Sequence, residues 1–234
     1  MRLYMLPYAG GSSTVYTKWK RYFDPSAIEC VPMEINGRGS LTGVPFFTDM
    51  DAAVHSLIAG YLNDSSEKTA LFGHSMGGVL AFEIARVLTK IGRPPVHLFI
   101  SGANTPDYQE DTWDVQSMND EQFLNHLAKI GGFQKEFFDN PAYQAYFLPI
   151  LRADYALLRS RSPYHPQALP CGITVFTGMD DPYSMENIEH WEEFSEQELT
   201  VYPLKGNHFF LHEQAESMSE IIITQLRAAM RKEG

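Results

Sequence analysis

Residues 71–78 of the chain read Leu71-Phe72-Gly73-His74-Ser75-Met76-Gly77-Gly78. The short apolar run over 69–72 is typical of a buried strand, and after the glycines apolar residues recur at helical spacing as far as Gly92. The serine stands between two glycines in the pattern G-x-S-x-G, which is typical of a nucleophile elbow, a sharp turn that presents a reactive serine between a strand and a helix. The stretch therefore predicts a strand, a turn with Ser75 at its corner, and a helix.

Predicted strands and helices alternate on both sides of this turn. Strands are predicted at 2–6, 28–35, 69–72, 96–101, 172–177 and 199–204. Helices are predicted between the glycine-rich turn at 7–13 and Asp24, over 48–61, after Ser75, over 187–194 and over 214–230. This alternation predicts a mostly parallel central sheet flanked by helices, which is an α/β architecture of the α/β-hydrolase type. Ligands of such sheets bind at the carboxyl ends of the strands.

The segment 106–166 differs from the rest of the chain. It shows no convincing strand, and its helical patterns are rich in large apolar side chains and are interrupted at Gly131-Gly132 and Asn140-Pro141. These side chains are Phe123, Leu124, Leu127, Ile130, Phe133, Phe137, Phe138, Tyr143, Tyr146, Phe147, Leu148, Ile150, Leu151, Tyr155, Leu157 and Leu158. We therefore expect one domain, with a core formed by about 1–105 and 167–234 and a helical lid at about 106–166 that covers an apolar substrate channel.

Composition excludes several classes of protein. The 234 residues, 44% of them hydrophobic, can bury a sizeable core, and the formal charge of −11 argues against nucleic acid as a partner. The sequence contains no apolar run of about 18 residues, so no membrane span is predicted, and the N-terminus does not resemble a secretory signal. Cys30 and Cys171 fit neither a metal-site spacing nor a disulfide framework. We expect both to be buried free thiols and the protein to be cytoplasmic.

A catalytic serine needs a histidine base, and the histidine needs a carboxylate to hold its tautomer. In the α/β-hydrolase order, the carboxylate follows the serine and the histidine comes last. Of the histidines after the strand at 172–177, His190 falls in a predicted helix and His212 lies one turn beyond the last loop, whereas His208 directly follows the final strand. Asp181 is favoured as the carboxylate because it precedes a proline, but Asp180 remains a candidate.

The same edge of the sheet predicts an oxyanion hole. We expect its donors to be the backbone N–H groups of Met76, directly after the serine, and of Ala9, in the loop after the first strand. Gly10 and Gly11 allow the backbone of that loop to come close to the site. The sequence shows no metal-ligand cluster, phosphate loop or dinucleotide fingerprint, so we expect neither metal nor cofactor.

Several motifs together carry a resemblance to a known family. They are Leu6-Pro7-Tyr8-Ala9-Gly10-Gly11, Asn36-Gly37-Arg38-Gly39, Phe72 to Gly78, Leu148-Pro149 to Asp154-Tyr155, Gly178-Met179-Asp180-Asp181-Pro182 and Gly206-Asn207-His208-Phe209-Phe210-Leu211. In this order they resemble the type II thioesterases, the stand-alone enzymes that accompany non-ribosomal peptide and polyketide synthases. The sequence departs from the family at Asn36, where proline is common, and at Asn207, where glycine is common.

The resemblance implies an editing hydrolase. Its substrates would be misprimed or stalled acyl and aminoacyl thioesters on the phosphopantetheine arm of a carrier protein, which is the expected partner of a monomeric enzyme. Carried over by position, the catalytic residues are Ser75, Asp181 and His208, and the oxyanion donors are Ala9 and Met76. Two other functions remain open at this point: a carboxylesterase or lipase of the same fold acting on free esters, and a binding protein of this fold that has lost activity.

Overall fold

A computed structural model gives the structure of residues 1–63, 67–108, 115–130, 135–162, 168–181 and 188–232. The strands among these residues are β1 (Arg2–Leu6), β2 (Glu29–Pro32), β3 (Thr69–His74), β4 (His97–Ser101), β5 (Gly172–Gly178) and β6 (Leu199–Leu204). The α-helices among them are α1 (Met50–Tyr61), α2 (Met76–Lys90), α3 (Asp120–Ile130), α4 (Lys135–Asp139), α5 (Pro141–Arg159) and α6 (Ala215–Lys232). Short 3₁₀ helices occur at Ser13–Tyr16, Trp19–Tyr22, Gly39–Leu41, Ile188–Phe194 and Phe210–His212.

The strands form one sheet in the order β2-β1-β3-β4-β5-β6, and every neighbouring pair is parallel. β3, which leads into Ser75, lies between β1 and β4, with Gly73 opposite Leu6 and His74 opposite Ser101. Because parallel strands end at the same edge, the loops after β1, β3, β5 and β6 meet there. The predicted sheet flanked by helices is confirmed.

Each face of the sheet has its own apolar core. One cluster includes Leu57 of α1, Leu80 of α2 and Trp191 of the 3₁₀ helix Ile188–Phe194. The opposite cluster joins Trp19 to Met218 on α6. Cys30 and Cys171 are buried free thiols in these layers, as predicted, and burial raises the pKa of each to about 12. The two cores pack against both faces of the sheet and so position the strand ends from which the loops of the site begin.

Some elements differ from the prediction. The chain between the first glycine-rich turn and Asp24 forms two 3₁₀ helices, Ser13–Tyr16 and Trp19–Tyr22, instead of one α-helix. β2 covers only Glu29–Pro32, because its partner β1 ends at Leu6 and continues into a loop. The predicted helix over 187–194 is a 3₁₀ helix that begins at Ile188. Some positions used in the sequence analysis lie outside the described residues, namely Gly131, Gly132, Phe133, the boundary at 166–167, Pro182 and Asn187.

The segment 106–166 contributes α3, α4 and α5. A third apolar cluster joins these helices through Phe123, Leu127, Phe137, Leu148, Leu151 and Tyr155, together with Val115. Ala9 and Phe209, from loops at the carboxyl edge of the sheet, pack against this cluster. Tyr143 and Tyr146, which the sequence groups with the apolar side chains, are exposed on α5. The described helices of this segment therefore lie against the edge at which the loops converge.

Candidate active site

Ser75 occupies a strained turn between β3 and α2. Its φ of 53° makes it the one non-glycine residue with positive φ in the described part of the chain, and such strain persists only where the surroundings enforce it. A Cβ on Gly73 would lie 1.9 Å from the carbonyl oxygen of Gly77, and a Cβ on Gly77 would lie 2.2 Å from that of Leu6. The two glycines of the motif are thus required by the close approach of backbone to backbone, and they place a half-buried serine at the sheet edge.

The structure brings Ser75, His208 and Asp181 together. Nε2 of His208 lies 3.0 Å from Oγ of Ser75, and Nδ1 of His208 lies 2.8 Å from Oδ2 of Asp181. An ionised carboxylate only accepts hydrogen bonds, so Nδ1 carries the ring proton and Nε2 is left to accept the proton of the serine hydroxyl. Asp181 is 1% exposed, so water does not compete for this carboxylate.

Asp180, the alternative carboxylate, is directed elsewhere. It is exposed, and its backbone N–H donates to the carbonyl of Gly206 at 3.0 Å, which ties the loop after β5 to the loop after β6. The two neighbouring aspartates therefore have different positions. Asp181 meets the histidine, and Asp180 contributes its backbone to the loop contact.

The loop that carries His208 is shaped by Asn207, one of the departures from the family pattern. Oδ1 of Asn207 accepts a hydrogen bond from the N–H of Phe209 at 2.9 Å, and its carbonyl accepts one from the N–H of Phe210. A Cβ on Gly178 at the end of β5 would lie 2.8 Å from the carbonyls of Gly206 and Asn207. The loop thus packs directly on β5, and the asparagine supports the tight turn that a glycine would otherwise allow.

The structure adds His74, which sequence reasoning missed. Nδ1 of this buried histidine lies 2.8 Å from Oγ of Ser101, and Nε2 lies 2.8 Å from the carbonyl oxygen of His208. A carbonyl only accepts, so Nε2 carries the proton and Nδ1 accepts from the serine. Burial, with a smaller contribution from His208, lowers the pKa of His74 well below its usual value, so the ring stays neutral. A histidine beside the serine gave no signal of this role.

Tyr8 closes the neighbouring side of the site. Its hydroxyl lies 3.0 Å from Nε2 of His212, and its ring makes edge contacts with His74 and Phe209. Burial raises the pKa of Tyr8 to about 12 and lowers the pKa of His212. His212, which the sequence placed one turn past the loop, therefore acts as a neutral partner of Tyr8 and does not contact Ser75 in the described structure.

The backbone N–H groups of Ala9 and Met76 are the expected oxyanion donors. In the described residues no hydrogen bond uses the N–H of Ala9 or of Met76, whereas the N–H groups of Gly10 and Gly11 donate to Asp154 and to the Tyr8 carbonyl. Met76 is the first residue of α2, where N–H groups have no partner within the helix and attract negative charge. An unused donor beside a nucleophile can stabilise the anion of a tetrahedral intermediate.

Neither a candidate metal site nor a membrane-spanning helix occurs among the described residues. Across the ranges that the structure covers, no group of three or more His, Cys, Asp and Glu side chains could hold a metal ion. Across the same ranges, no helix is long and apolar enough to cross a bilayer.

Comparisons with known proteins identify the family of the chain. The model of the thioesterase domain family matches residues 1–226. The gramicidin S biosynthesis protein GrsT of Aneurinibacillus migulanus is 31% identical over 232 residues, which are 98% of this chain and 90% of that protein. The RedJ thioesterase from the prodiginine biosynthetic pathway of Streptomyces coelicolor is 31% identical with a TM-score of 0.86, over 96% of this chain and 85% of that one.

A second solved structure is similar over nearly the whole of both chains. It is ClbQ from the colibactin NRPS/PKS pathway, with a TM-score of 0.89 and 28% identity over 98% of each chain. The fold, the G-x-S-x-G turn and these relatives together confirm the resemblance to the type II thioesterases, and the chain belongs to the thioesterase family.

Proposed function

We propose that this enzyme hydrolyses acyl and aminoacyl thioesters carried on the phosphopantetheine arm of a carrier protein, as an editing enzyme of non-ribosomal peptide or polyketide biosynthesis. The observation that carries the proposal is the hydrogen-bonded series Ser75–His208–Asp181, at 3.0 and 2.8 Å, in a member of the thioesterase family. In this proposal Ser75 is the nucleophile, His208 is the general base and acid, and Asp181 orients His208.

The proposed reaction has two halves. Oγ of Ser75 attacks the thioester carbonyl carbon while Nε2 of His208 takes the hydroxyl proton, and the N–H groups of Ala9 and Met76 stabilise the resulting oxyanion. The intermediate collapses by breaking the carbon–sulfur bond, and His208 returns the proton to the departing thiolate. Water then attacks the acyl-serine with the same base, releasing the carboxylic acid and restoring the serine hydroxyl.

The substrate class is supported by the relatives and by the helical segment. GrsT is a gramicidin S biosynthesis protein, RedJ is a thioesterase from the prodiginine biosynthetic pathway, and ClbQ comes from the colibactin NRPS/PKS pathway. We also propose that 106–166 is a lid, because its apolar cluster extends to Ala9 and Phe209 at the edge of the site. An apolar cover suits an acyl chain that must leave water before reaction. We further propose that the enzyme is a cytoplasmic monomer that meets the carrier protein transiently.

The decisive experiment compares one acyl group in two forms. The acyl group is presented on the phosphopantetheine arm of a carrier protein and as its p-nitrophenyl ester, and kcat/KM is measured for both. The proposal expects a higher kcat/KM for the carrier-bound thioester, with mass spectrometry showing release of the free arm. A large preference for the free ester would instead establish a carboxylesterase.

Two variants complete this experiment. Ser75→Ala should abolish turnover and labelling by a fluorophosphonate, because the hydroxyl and its base act as one unit. The matched control Ser56→Ala changes an exposed serine on α1 and should behave as the wild type. Absence of fluorophosphonate labelling in the wild type would contradict the proposal and favour a binding protein.

A further inference from the structure

A buried ion pair joins the Asn36-Gly37-Arg38-Gly39 turn to α5. Nη1 and Nη2 of Arg38 lie 2.6 and 2.5 Å from the two carboxylate oxygens of Asp154, and both side chains are 2% exposed. Desolvating two charges offsets most of the attraction between them, so such a pair adds little net stability over an apolar pair of the same size. Stability alone therefore does not account for two buried charges at this position.

The pair holds the loop after β1 at two points. Oδ2 of Asp154 accepts a hydrogen bond from the N–H of Gly10 at 2.7 Å, and Nη1 of Arg38 donates to the carbonyl of Gly11 at 3.3 Å. The N–H of Gly11 turns back to the carbonyl of Tyr8 at 2.9 Å. The N–H groups of Gly10 and Gly11 thus each donate a hydrogen bond, whereas the N–H of Ala9 just before them has no acceptor among the described residues.

α5 also fixes the loop by direct packing. Gly10 has a φ of +80°, and a Cβ at this position would lie 2.8 Å from Cδ2 of Leu151, one turn before Asp154 on α5. The loop is therefore held against the helix by a hydrogen bond and by van der Waals contact. Because a peptide unit is planar, fixing the N–H of Gly10 fixes the plane between Ala9 and Gly10, and only the dihedral angles of Ala9 separate that plane from the Ala9 N–H.

We propose that Arg38 and Asp154 are positioning residues that aim the N–H of Ala9 at the reacting carbonyl, and that they couple the placement of α5 to the oxyanion hole. The inference rests on the proposed function, since it assumes that Ala9 is an oxyanion donor. Neither side chain touches the substrate. A displacement of α5 withdraws the acceptor from Gly10, and the peptide plane next to Ala9 is then free to turn.

The first variant is Asp154→Asn, which keeps the shape of the side chain. If its amide oxygen faces Gly10, its NH₂ group opposes Nη2 of Arg38, and in the other orientation the NH₂ group opposes the N–H of Gly10. Either arrangement places two donors against each other. The matched control is Asp120→Asn, which removes the carboxylate of an exposed ion pair with Arg152, also on α5, that does not contact the loop.

The second variant separates positioning from stability. Breaking a buried pair on one side is strongly destabilising because it leaves an unpaired charge, so the double variant Arg38→Met/Asp154→Leu should unfold at a higher midpoint than Asp154→Leu alone, although below the wild type because the partners of the Gly10 N–H and the Gly11 carbonyl are lost. It nevertheless lacks an acceptor for the N–H of Gly10. A purely structural role predicts normal turnover in this variant, and the positioning role predicts that turnover stays low.

The readouts are kcat, KM and inhibition by an alkyl boronic acid, which forms a tetrahedral adduct with a catalytic serine. We expect Asp154→Asn and the double variant to lower kcat by about 10- to 100-fold, part of the 10²–10³ that removal of a whole oxyanion donor costs. KM should be unchanged, boronate affinity should fall in parallel with kcat, and Asp120→Asn should match the wild type.

A folded double variant with wild-type kcat would overturn the inference, as would a loss of kcat that tracks only the unfolding midpoint. Failure of the proposed function is a different result. It would appear as a wild-type enzyme that prefers free esters, or as a Ser75→Ala variant that retains turnover, and the effect of Asp154 can be measured on whichever substrate the wild type hydrolyses.

Discussion

Replacing Asp181 with asparagine alters one atom beside His208 and leaves the size of the side chain unchanged. In the wild type, Oδ2 of Asp181 accepts from Nδ1 of His208 at 2.8 Å. An asparagine in the same place can turn its NH₂ group toward the ring, which then favours the tautomer with Nδ1 as acceptor and the proton on Nε2. In that tautomer Nε2 can no longer accept the proton of Ser75 across their 3.0 Å contact.

The magnitude follows from this loss of the general base. The corresponding change in a serine protease with the same three groups lowers kcat by about 10⁴, and one decade corresponds to about 1.36 kcal/mol of activation free energy. We therefore expect Asp181→Asn to lower kcat by about 10⁴, or about 5.5 kcal/mol in the barrier. The change adds no volume at this buried position, so the unfolding midpoint should shift far less than the activity.

The assay measures kcat on an acyl thioester together with the rate of fluorophosphonate labelling of Ser75. Labelling also needs a deprotonated serine, so the two rates should fall together in Asp181→Asn. Asp180→Asn is the matched control, because its side chain is exposed and its loop contact is made by the backbone. A larger loss in Asp180→Asn than in Asp181→Asn, or a loss below tenfold in Asp181→Asn, would refute the assignment.

Two further predictions concern stability. Gly73→Ala should prevent folding of the serine turn, because the new Cβ would lie 1.9 Å from the Gly77 carbonyl oxygen. The control Gly60→Ala, on the exposed side of α1, adds a Cβ that meets nothing within 4 Å and should raise the free energy of unfolding by about 0.5–1 kcal/mol. Burial lowers the pKa of His74 in the folded protein, so the unfolded chain binds the extra proton as the pH falls. The wild type should therefore lose more free energy of unfolding than His74→Asn between pH 7.5 and 5.5, measured by urea unfolding. Equal losses in the two proteins would contradict the neutral state of His74.

The sheet could be predicted because its signals are local. β6 has the predicted bounds, and α1 begins after Asp49, whose side chain accepts from the N–H of Ala52 as the capping pattern indicates. Ser75 was also locally encoded, since two glycines and a serine between a strand and a helix suffice to specify the turn. The position of His208 and Asp181 at the carboxyl edge followed from strand order alone.

The segment after the first turn shows why a helical pattern can mislead. The sequence predicts one α-helix with Val15, Trp19, Tyr22 and Phe23 on its inner side. In the structure the most deeply buried aromatic rings are Tyr16 and Trp19, which belong to two different 3₁₀ helices. The hydrogen bonds from the N–H of Thr17 to the carbonyl of Thr14 and from the N–H of Phe23 to the carbonyl of Lys20 have the three-residue spacing of a 3₁₀ helix. Both rings pack against Phe72 of β3, a contact with a distant part of the chain that the local pattern does not indicate.

Contacts between distant residues were beyond sequence reasoning. Asp154 lies 116 residues from Arg38, and His74 lies 134 residues from His208. Neither partner has a spacing or neighbour that indicates the other. The sequence did mark both segments as motifs, Asn36 to Gly39 and Leu148 to Tyr155, but the reason for their residue types appears only when the fold brings a guanidinium, a carboxylate and a glycine N–H to one point.

The hydrogen bonds of His74 and those of the Arg38–Asp154 pair support different loops of the site and are anchored in different parts of the molecule. A change in one set should therefore leave the other in place. His74 connects the carbonyl of His208 to Ser101 at the end of β4, so the histidine loop is fixed by the sheet itself. The loop of Ala9 is fixed from outside the sheet, through Asp154 on α5. Under the role proposed above for Ala9, sequence changes within 106–166 that shift α5 should alter oxyanion stabilisation while leaving the Ser75–His208 contact intact. In a thioesterase whose acyl specificity resides in that segment, adaptation to a new acyl group would change the catalytic rate together with binding.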